Sequence, residues 1–293
     1  MNTKASSPTM LITGATGNIG GELIKRLAER NIPFRAMIRS AKDRYKLADL
    51  PGIDIVEGNF DEAASLSRAL AGMEKAFLVT NSSEHTQQQQ LRFVAEAKRA
   101  GIKHLVKLSQ LGADPASPVR FLRYHAVVEK AIQETGMDYT FLRPNLFMQG
   151  LLGFRDSIVG QNQFFAAIGA AKVSLVDVRD IAAAGAAALT ESGHAGKIYT
   201  LTGPQALTHT ELATELSTAL GRTITFTNVT PEAMRGALAQ AGFPVWQADG
   251  LLEDYAHYSR NEASAITPDV ETSTGQSPHS FAEFARDYAQ AFS

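Results

Sequence analysis

Cysteine is absent from the chain. That excludes disulfides, thiol catalysis and thiolate metal sites, and it fits a reducing compartment. An excess of charge of one sign is missing too. Against 30 acidic residues stand 28 basic ones, net −2, so neither nucleic acid nor a membrane surface is an expected partner. No apolar run is long enough to span a bilayer. The leader Met1-Asn2-Thr3-Lys4-Ala5-Ser6-Ser7-Pro8 lacks the apolar centre of a signal peptide. A soluble, cytoplasmic protein is the expectation. The seven histidines are scattered, with no His-Glu-x-x-His and no cluster at ligand spacing, so no metal is expected. Nor is there a Gly-x-Ser-x-Gly elbow. What the chain does have is apolar bulk: 44% of its 293 residues are hydrophobic, enough for one large domain or two coupled ones.

The most informative stretch runs from Met10 to Leu27. Met10-Leu11-Ile12-Thr13 reads as a buried strand, Gly14, Gly17 and Gly20 follow, and Ile19, Leu23 and Leu27 then repeat at helical spacing. The glycines therefore lie where a strand turns into a helix. There, unpaired N–H groups and the positive end of the helix dipole suit a dinucleotide pyrophosphate. Gly14 would permit the turn, Gly17 would admit the phosphates, and Gly20 would let helix and strand pack closely. The spacing is G-x-x-G-x-x-G, not G-x-G-x-x-G. The alternative is a tight turn with no ligand.

Four more strands are expected over Pro33–Ile38, Ile53–Val56, Lys75–Thr80 and His104–Ser109. Helices over Asp61–Ala71 (N-capped by Asp61), Glu84–Ala100 and Pro118–Thr135 separate or follow them. Tyr139–Arg143 is a further strand, 145–171 is irregular, Asp177 caps an alanine-rich helix through Leu189, and Ile198–Leu201 is a last sheet strand. Beyond Gly203 come a helix over Thr208–Leu220 with a Thr208/Glu211 capping box, an edge strand at Thr223–Thr227, a helix opened by Pro231, and a final helix, His279–Phe292. The fold class is α/β: a Rossmann-type doubly wound parallel sheet with a smaller C-terminal α+β substrate lobe. Residues 1–150, with 173–202 returning to the sheet, form the expected NADP-binding domain. Residues 203–293 and part of 145–171 form the expected substrate lobe.

The end of the second strand bears on cofactor choice. An acid there binds the ribose 2′-hydroxyl of NAD, whereas an arginine accommodates the 2′-phosphate of NADP. Here Arg39 stands at the strand end with Lys42 and Arg44 behind it. A guanidinium fork pairs with phosphate, so NADP(H) is the expected cofactor. The alternative is a basic surface loop.

Taken together, T-G-A-T-G-N-I-G at 13–20, I-R-S at 38–40, G-N-F at 58–60, R-P-N at 143–145 and V-D-V-R-D-I-A at 176–182 resemble the NmrA-like group of atypical short-chain dehydrogenases. Within it the chain looks most like the bacterial NADPH-dependent quinone and triphenylmethane-dye reductases. The resemblance implies further cofactor contacts: Thr16, Asn18 and Ile19 at the pyrophosphate, Asn59 and Phe60 near the adenine, Thr80, Asn81 and Ser82 along the ribose and phosphates, and Pro144, Asn145 and Leu146 at the nicotinamide.

Typical short-chain dehydrogenases place Tyr-x-x-x-Lys on the helix after the fifth strand, one turn apart, so that the lysine lowers the tyrosine's pKa. Here Tyr124 plus four is Val128, and Lys130 is turned off the tyrosine's face. His125 and Glu129 do share a face. The carboxylate would orient the imidazole and raise its pKa, making a proton donor, or the two form an ordinary surface pair. The candidate catalytic residues are His125, Ser109 and Tyr124, with Lys107 and Gln110 as neighbours. Hydride transfer to a quinone, an enone or a cationic dye can proceed without the tyrosine, because solvent can protonate the product. Phe147, Met148, Leu151, Leu152, Phe154, Phe164 and Phe165 would wall a pocket for a flat substrate, or are core. The expected function is an NADPH-dependent reductase of a conjugated small molecule. The main alternative is a non-catalytic NADP(H) sensor of the NmrA type, and a cofactor-retaining isomerase or dehydratase is less favoured. Oligomeric state is not legible, and a homo-oligomer is left open.

Overall fold

The computed structural model describes residues 8–47, 50 and 53–293. Residues 1–7, and with them most of the leader, lie outside the described residues. The chain divides into two compact units that interleave along the sequence. One takes the chain up to Ser109 together with Tyr124–Arg143 and Ile181–Tyr199. The other takes Gln110–Arg123, Pro144–Asp180 and Thr200–Ser293.

The first unit is built on β1 (Met10–Ile12), α1 (Asn18–Glu29), β2 (Arg35–Ile38), β3 (Asp54–Glu57), α2 (Ala63–Leu70), β4 (Lys75–Leu78), α3 (Thr86–Ala100), β5 (His104–Leu108), α4 (Arg120–Thr135) and β6 (Asp138–Pro144). The strands form a sheet of order β3-β2-β1-β4-β5-β6, and the last strand of the chain's seven-stranded sheet, β9 (Lys197–Leu201), follows β6. Each pairing from β3 to β6 is parallel. Parallel strands are buried on both faces, which explains their apolar runs. Leu11, Ala76, Leu105 and Phe141 of the sheet pack with Leu66, Leu70, Phe93, Val128 and Ile132 of the helices in one core. Chain order reverses between β1 and β4, so the carboxyl ends of these strands flank a topological switch point, where open α/β sheets bind ligands.

The helix expected over Asp61–Ala71 starts later. Its N-cap is Glu62, without a side-chain cap bond. Asp61 is not the cap, because Asn59 turns the chain first: Asn59 Oδ1 accepts from the Asp61 N–H at 3.0 Å, and the Asp61 carboxylate instead accepts from Gln89. Gly101 ends α3 at φ +78°, as expected.

In the second unit, the stretch expected to be irregular is ordered. A 3-10 helix over Met148–Phe154 runs into α5 (Arg155–Gln161) and β7 (Gln163–Ala166). Their periodicity is too short to read locally, and order comes from burying Leu151, Ile158 and Phe164 in a shared core. Along the chain there follow β8 (Lys172–Val173), α6 (Val178–Thr190) and β9, of which α6 and β9 belong mostly to the first unit, then β10 (Leu207–Thr208), α7 (His209–Leu220), β11 (Thr225–Asn228), α8 (Pro231–Gln240), α9 (Val245–Ser259), α10 (Asp269–Thr274) and α11 (Phe281–Asp287). β11 pairs with β7 in parallel and β10 with β8 antiparallel. Both capping expectations hold: Thr208 and Glu211 form a capping box, and Asp177 Oδ1 accepts from the Arg179 N–H at 2.8 Å. The expected last helix breaks in two, with α11 ending at Asp287 and a 3-10 helix over Ala289–Phe292. Its start is fixed by a second capping box, Ser280 with Glu283. The aromatic positions Phe281, Phe284 and Phe292 are nonetheless buried.

Candidate functional site

The glycine turn follows β1. The Thr13 hydroxyl donates toward the carbonyls of Phe77 and Val79 and accepts from the Val79 N–H at 2.9 Å, pinning the turn to the end of β4. Gly14 has φ +61°, a backbone region that disfavours any side chain. At Gly20 an added Cβ would lie 2.1 Å from the Gly14 carbonyl oxygen, so helix and turn are in direct backbone contact. Gly17 is the N-cap of α1, which has no side-chain cap bond and no acidic residue in its first turn. The opening N–H groups of a twelve-residue helix are thus not capped by any side chain, which is what an anionic ligand requires. Thr16 and Asn18 are exposed beside the turn, whereas the Ile19 side chain is in the core and offers only backbone.

At the neighbouring strand ends, Arg39 is exposed and forms no ion pair among the described residues. Lys42 is exposed, with its backbone N–H held by Ser40 Oγ at 3.3 Å. Asn59 caps the turn into α2, and Phe60 packs on Phe93 at 5.7 Å between ring centres. Thr80 Oγ1 accepts from Gln90, and the Asn81 carbonyl accepts from Thr86. Ser82 Oγ lies 3.3 Å from the Tyr124 hydroxyl.

Beyond β5 lies a buried polar cluster. Lys107 Nζ donates to the Leu108 carbonyl at 2.9 Å and stands 2.7 Å from His125 Nδ1. Ser109 Oγ donates to Glu129 Oε1 at 2.5 Å, and the Arg143 guanidinium forks onto both Glu129 oxygens. The expected His125–Glu129 pair is not formed. Glu129 is claimed by Arg143 because Arg143 stands on β6 beside the end of β5, where the Ser109 N–H donates to the Leu142 carbonyl. The pKa expectation is overturned as well. Burial, with Lys107 and Arg143 adding to it, holds the His125 imidazole well below its usual value. Burial also pushes the Lys107 amine down to about 7, with Glu129 pulling the other way. The Tyr124 ring lies 4.2 Å from the His125 ring.

The NmrA-like family model matches residues 6–288. The chain belongs to the NmrA-like family. It is 37% identical over 283 residues to an NAD(P)H azoreductase of Xenophilus azovorans, covering 97% of this chain and 99% of the relative. Among solved structures, the NADPH complex of the quinone oxidoreductase from Escherichia coli is 29% identical with a TM-score of 0.85, covering 95% of this chain and 99% of that one. The triphenylmethane reductase of Citrobacter sp. with NADP(H) is 29% identical with a TM-score of 0.83, covering 96% and 99%.

In this NmrA-like chain the remaining expected residues divide by how their side chains are used. Asn145 is fully engaged in the fold: Nδ2 donates to Ser174 Oγ and the Ala263 carbonyl, and Oδ1 accepts from the Leu146 N–H. Pro144 is buried and Leu146 half-buried. Phe164 is core, completely buried against Phe154 and Phe226. Phe147 and Phe154 are half-buried. Gln110 donates to Asp254, a buried carboxyl that burial pushes up to about 7. Residue patterns had not singled out Arg143 as a site residue or paired Lys107 with His125. The available signal was a lysine inside the apolar strand His104–Leu108, which in a buried parallel sheet requires a partner.

Proposed function

We propose that this NmrA-like protein is an oxidoreductase that uses NADPH to reduce a conjugated small molecule such as a quinone, an azo compound or a cationic dye. The observation that carries the reading is the bare α1 N-terminus behind Gly14, Gly17 and Gly20, with Arg39, which forms no ion pair among the described residues, at the next strand end. Gly17, Thr16, Asn18 and the Ile19 backbone would hold the pyrophosphate. Arg39 and Lys42 would hold the 2′-phosphate. Phe60 and Asn59 would border the adenine, Thr80, Asn81 and Ser82 the ribose, and Pro144 and Leu146 the nicotinamide. Asn145 supports that turn from within. When bound, the cofactor supplies a hydride. Ser109, His125 and Tyr124 would then meet the acceptor's polar atom, with Phe147 and Phe154 as the apolar candidates for its flat face. The three relatives are named for reductions, which favours this reading over a non-catalytic sensor.

The test is NADPH consumption against a panel of quinones, azo compounds and cationic dyes, with NADH in parallel. We expect turnover that prefers NADPH. Arg39→Ala should raise the KM for NADPH roughly tenfold or more and leave that for NADH in place. Binding of neither cofactor would end the reading.

A further inference from the structure

Lys107 occupies a position where a lysine is costly. It lies inside β5, between β4 and β6, and its side chain is fully buried. Among the described residues no carboxylate pairs with it directly. The Glu129 oxygens are engaged by Ser109 and by the Arg143 fork. Its hydrogen bonds go to the Leu108 carbonyl and to His125 Nδ1. While Lys107 carries its charge it has only donors, so Nδ1 is then the acceptor and the imidazole proton sits on Nε2. That Lys107 contact is the sole side-chain hydrogen bond of His125 among the described residues. The Nε2–H group is therefore left for a ligand.

We propose that Lys107 is a positioning residue that holds His125 as the neutral Nε2–H tautomer and reloads it with a proton, so that the two form a relay serving acceptors whose reduction leaves a negative oxygen or nitrogen. The inference rests on the reductase reading. Hydride added to a quinone-like acceptor leaves an anionic oxygen. That oxygen forms an O–H bond with the Nε2 proton as the Nε2–H bond breaks. Nδ1 gains the proton that Lys107 Nζ gives up. The imidazole ends neutral with its proton on Nδ1 and Lys107 ends as a neutral amine; the reset is the reverse relay, in which solvent returns a proton to Nε2 as the Nδ1 proton goes back to Lys107 Nζ. No imidazolium forms, in keeping with a site where burial, Lys107 and Arg143 all oppose one. Glu129 and Arg143, from α4 and β6, are the other charged groups acting on Lys107, and they pull in opposite directions. Burial brings the amine to about 7, so near neutrality the proton is both present and releasable.

Acceptor chemistry supplies the test. A cationic dye becomes neutral on taking a hydride and needs no proton, whereas a quinone or azo compound does. Lys107→Met should slow quinone turnover by roughly tenfold to a hundredfold and lower the ratio of quinone to dye turnover by about tenfold or more. The fall in quinone kcat above about pH 7 should disappear in the variant. Nitrogen-15 NMR of His125 in the free protein should show a neutral Nε2–H imidazole at pH 6, where Lys107 carries its charge. Because that reading needs no acceptor, failure of the reductase reading is told apart from failure of the relay. An Nδ1–H tautomer or an imidazolium at pH 6, or equal losses on quinone and dye, would overturn the proposal.

Discussion

The glycine turn after β1 and the polar cluster beyond β5 sit at carboxyl ends of the same sheet and are built in opposite ways. The turn is eight contiguous residues whose function lies in missing atoms: no side chain caps α1, and the Gly20 Cα nearly touches the Gly14 carbonyl. The cluster is made of side chains gathered from β5, α4 and β6, each buried charge matched by a partner. The turn should reject any added atom, whereas the cluster should reject any changed charge.

The largest effect is expected from the charge. Glu129→Gln keeps the shape but leaves the Arg143 and Lys107 cations without their acid, and should cost about 3–5 kcal/mol in denaturant unfolding. Adding Arg143→Met should recover much of it; no recovery would mean that the pair is not the unit described here. Next comes the added atom. Gly20→Ala should destabilise by about 2–3 kcal/mol despite alanine's better helix propensity, and weaken NADPH binding at least tenfold. A neutral or stabilising result would show that α1 can slide off the turn at little cost.

The smallest effect sharpens the contrast with a buried carboxyl whose partner is uncharged. Asp254 is bonded to the Gln110 amide, and burial raises it to about 7. Between the unfolded value near 3.9 and that folded value, the native state holds the extra proton, so stability falls as pH rises. From pH 5 to 6.5 the fall is at most about 2 kcal/mol, at roughly 1.4 kcal/mol per pH unit. Thermal melts of Asp254→Asn should show a flatter slope over that range. An unchanged slope would assign it to other groups.

The same contrast explains what could be read from residue order. The turn was legible because its determinants are local: strand, three glycines, helix. The two N-caps found where anticipated, Thr208 and Asp177, are local as well. The pairing of His125 was misassigned because helical spacing reveals only which residues share a face. The register of β5 on β6, which brings Arg143 to Glu129, is a long-range choice. The misplaced cap at Asp61 is a one-residue slip caused by Asn59 closing the turn first. The order over 145–171 escaped notice because its partner strand, β11, lies about sixty residues on, as the pairing of Phe164 with Phe226 shows.

The interleaving of the two units has a consequence for biosynthesis. The chain passes between them after Ser109, Arg123, Arg143, Asp180 and Tyr199, so no single cut frees either unit as a continuous fragment. On the ribosome, Ile158 and Phe164 emerge long before Phe281, Phe284 and Phe292, with which they share a core. At about 5–20 residues per second the delay is on the order of ten seconds. For that interval the apolar side chains of Ile158 and Phe164 lack the partners that complete their core.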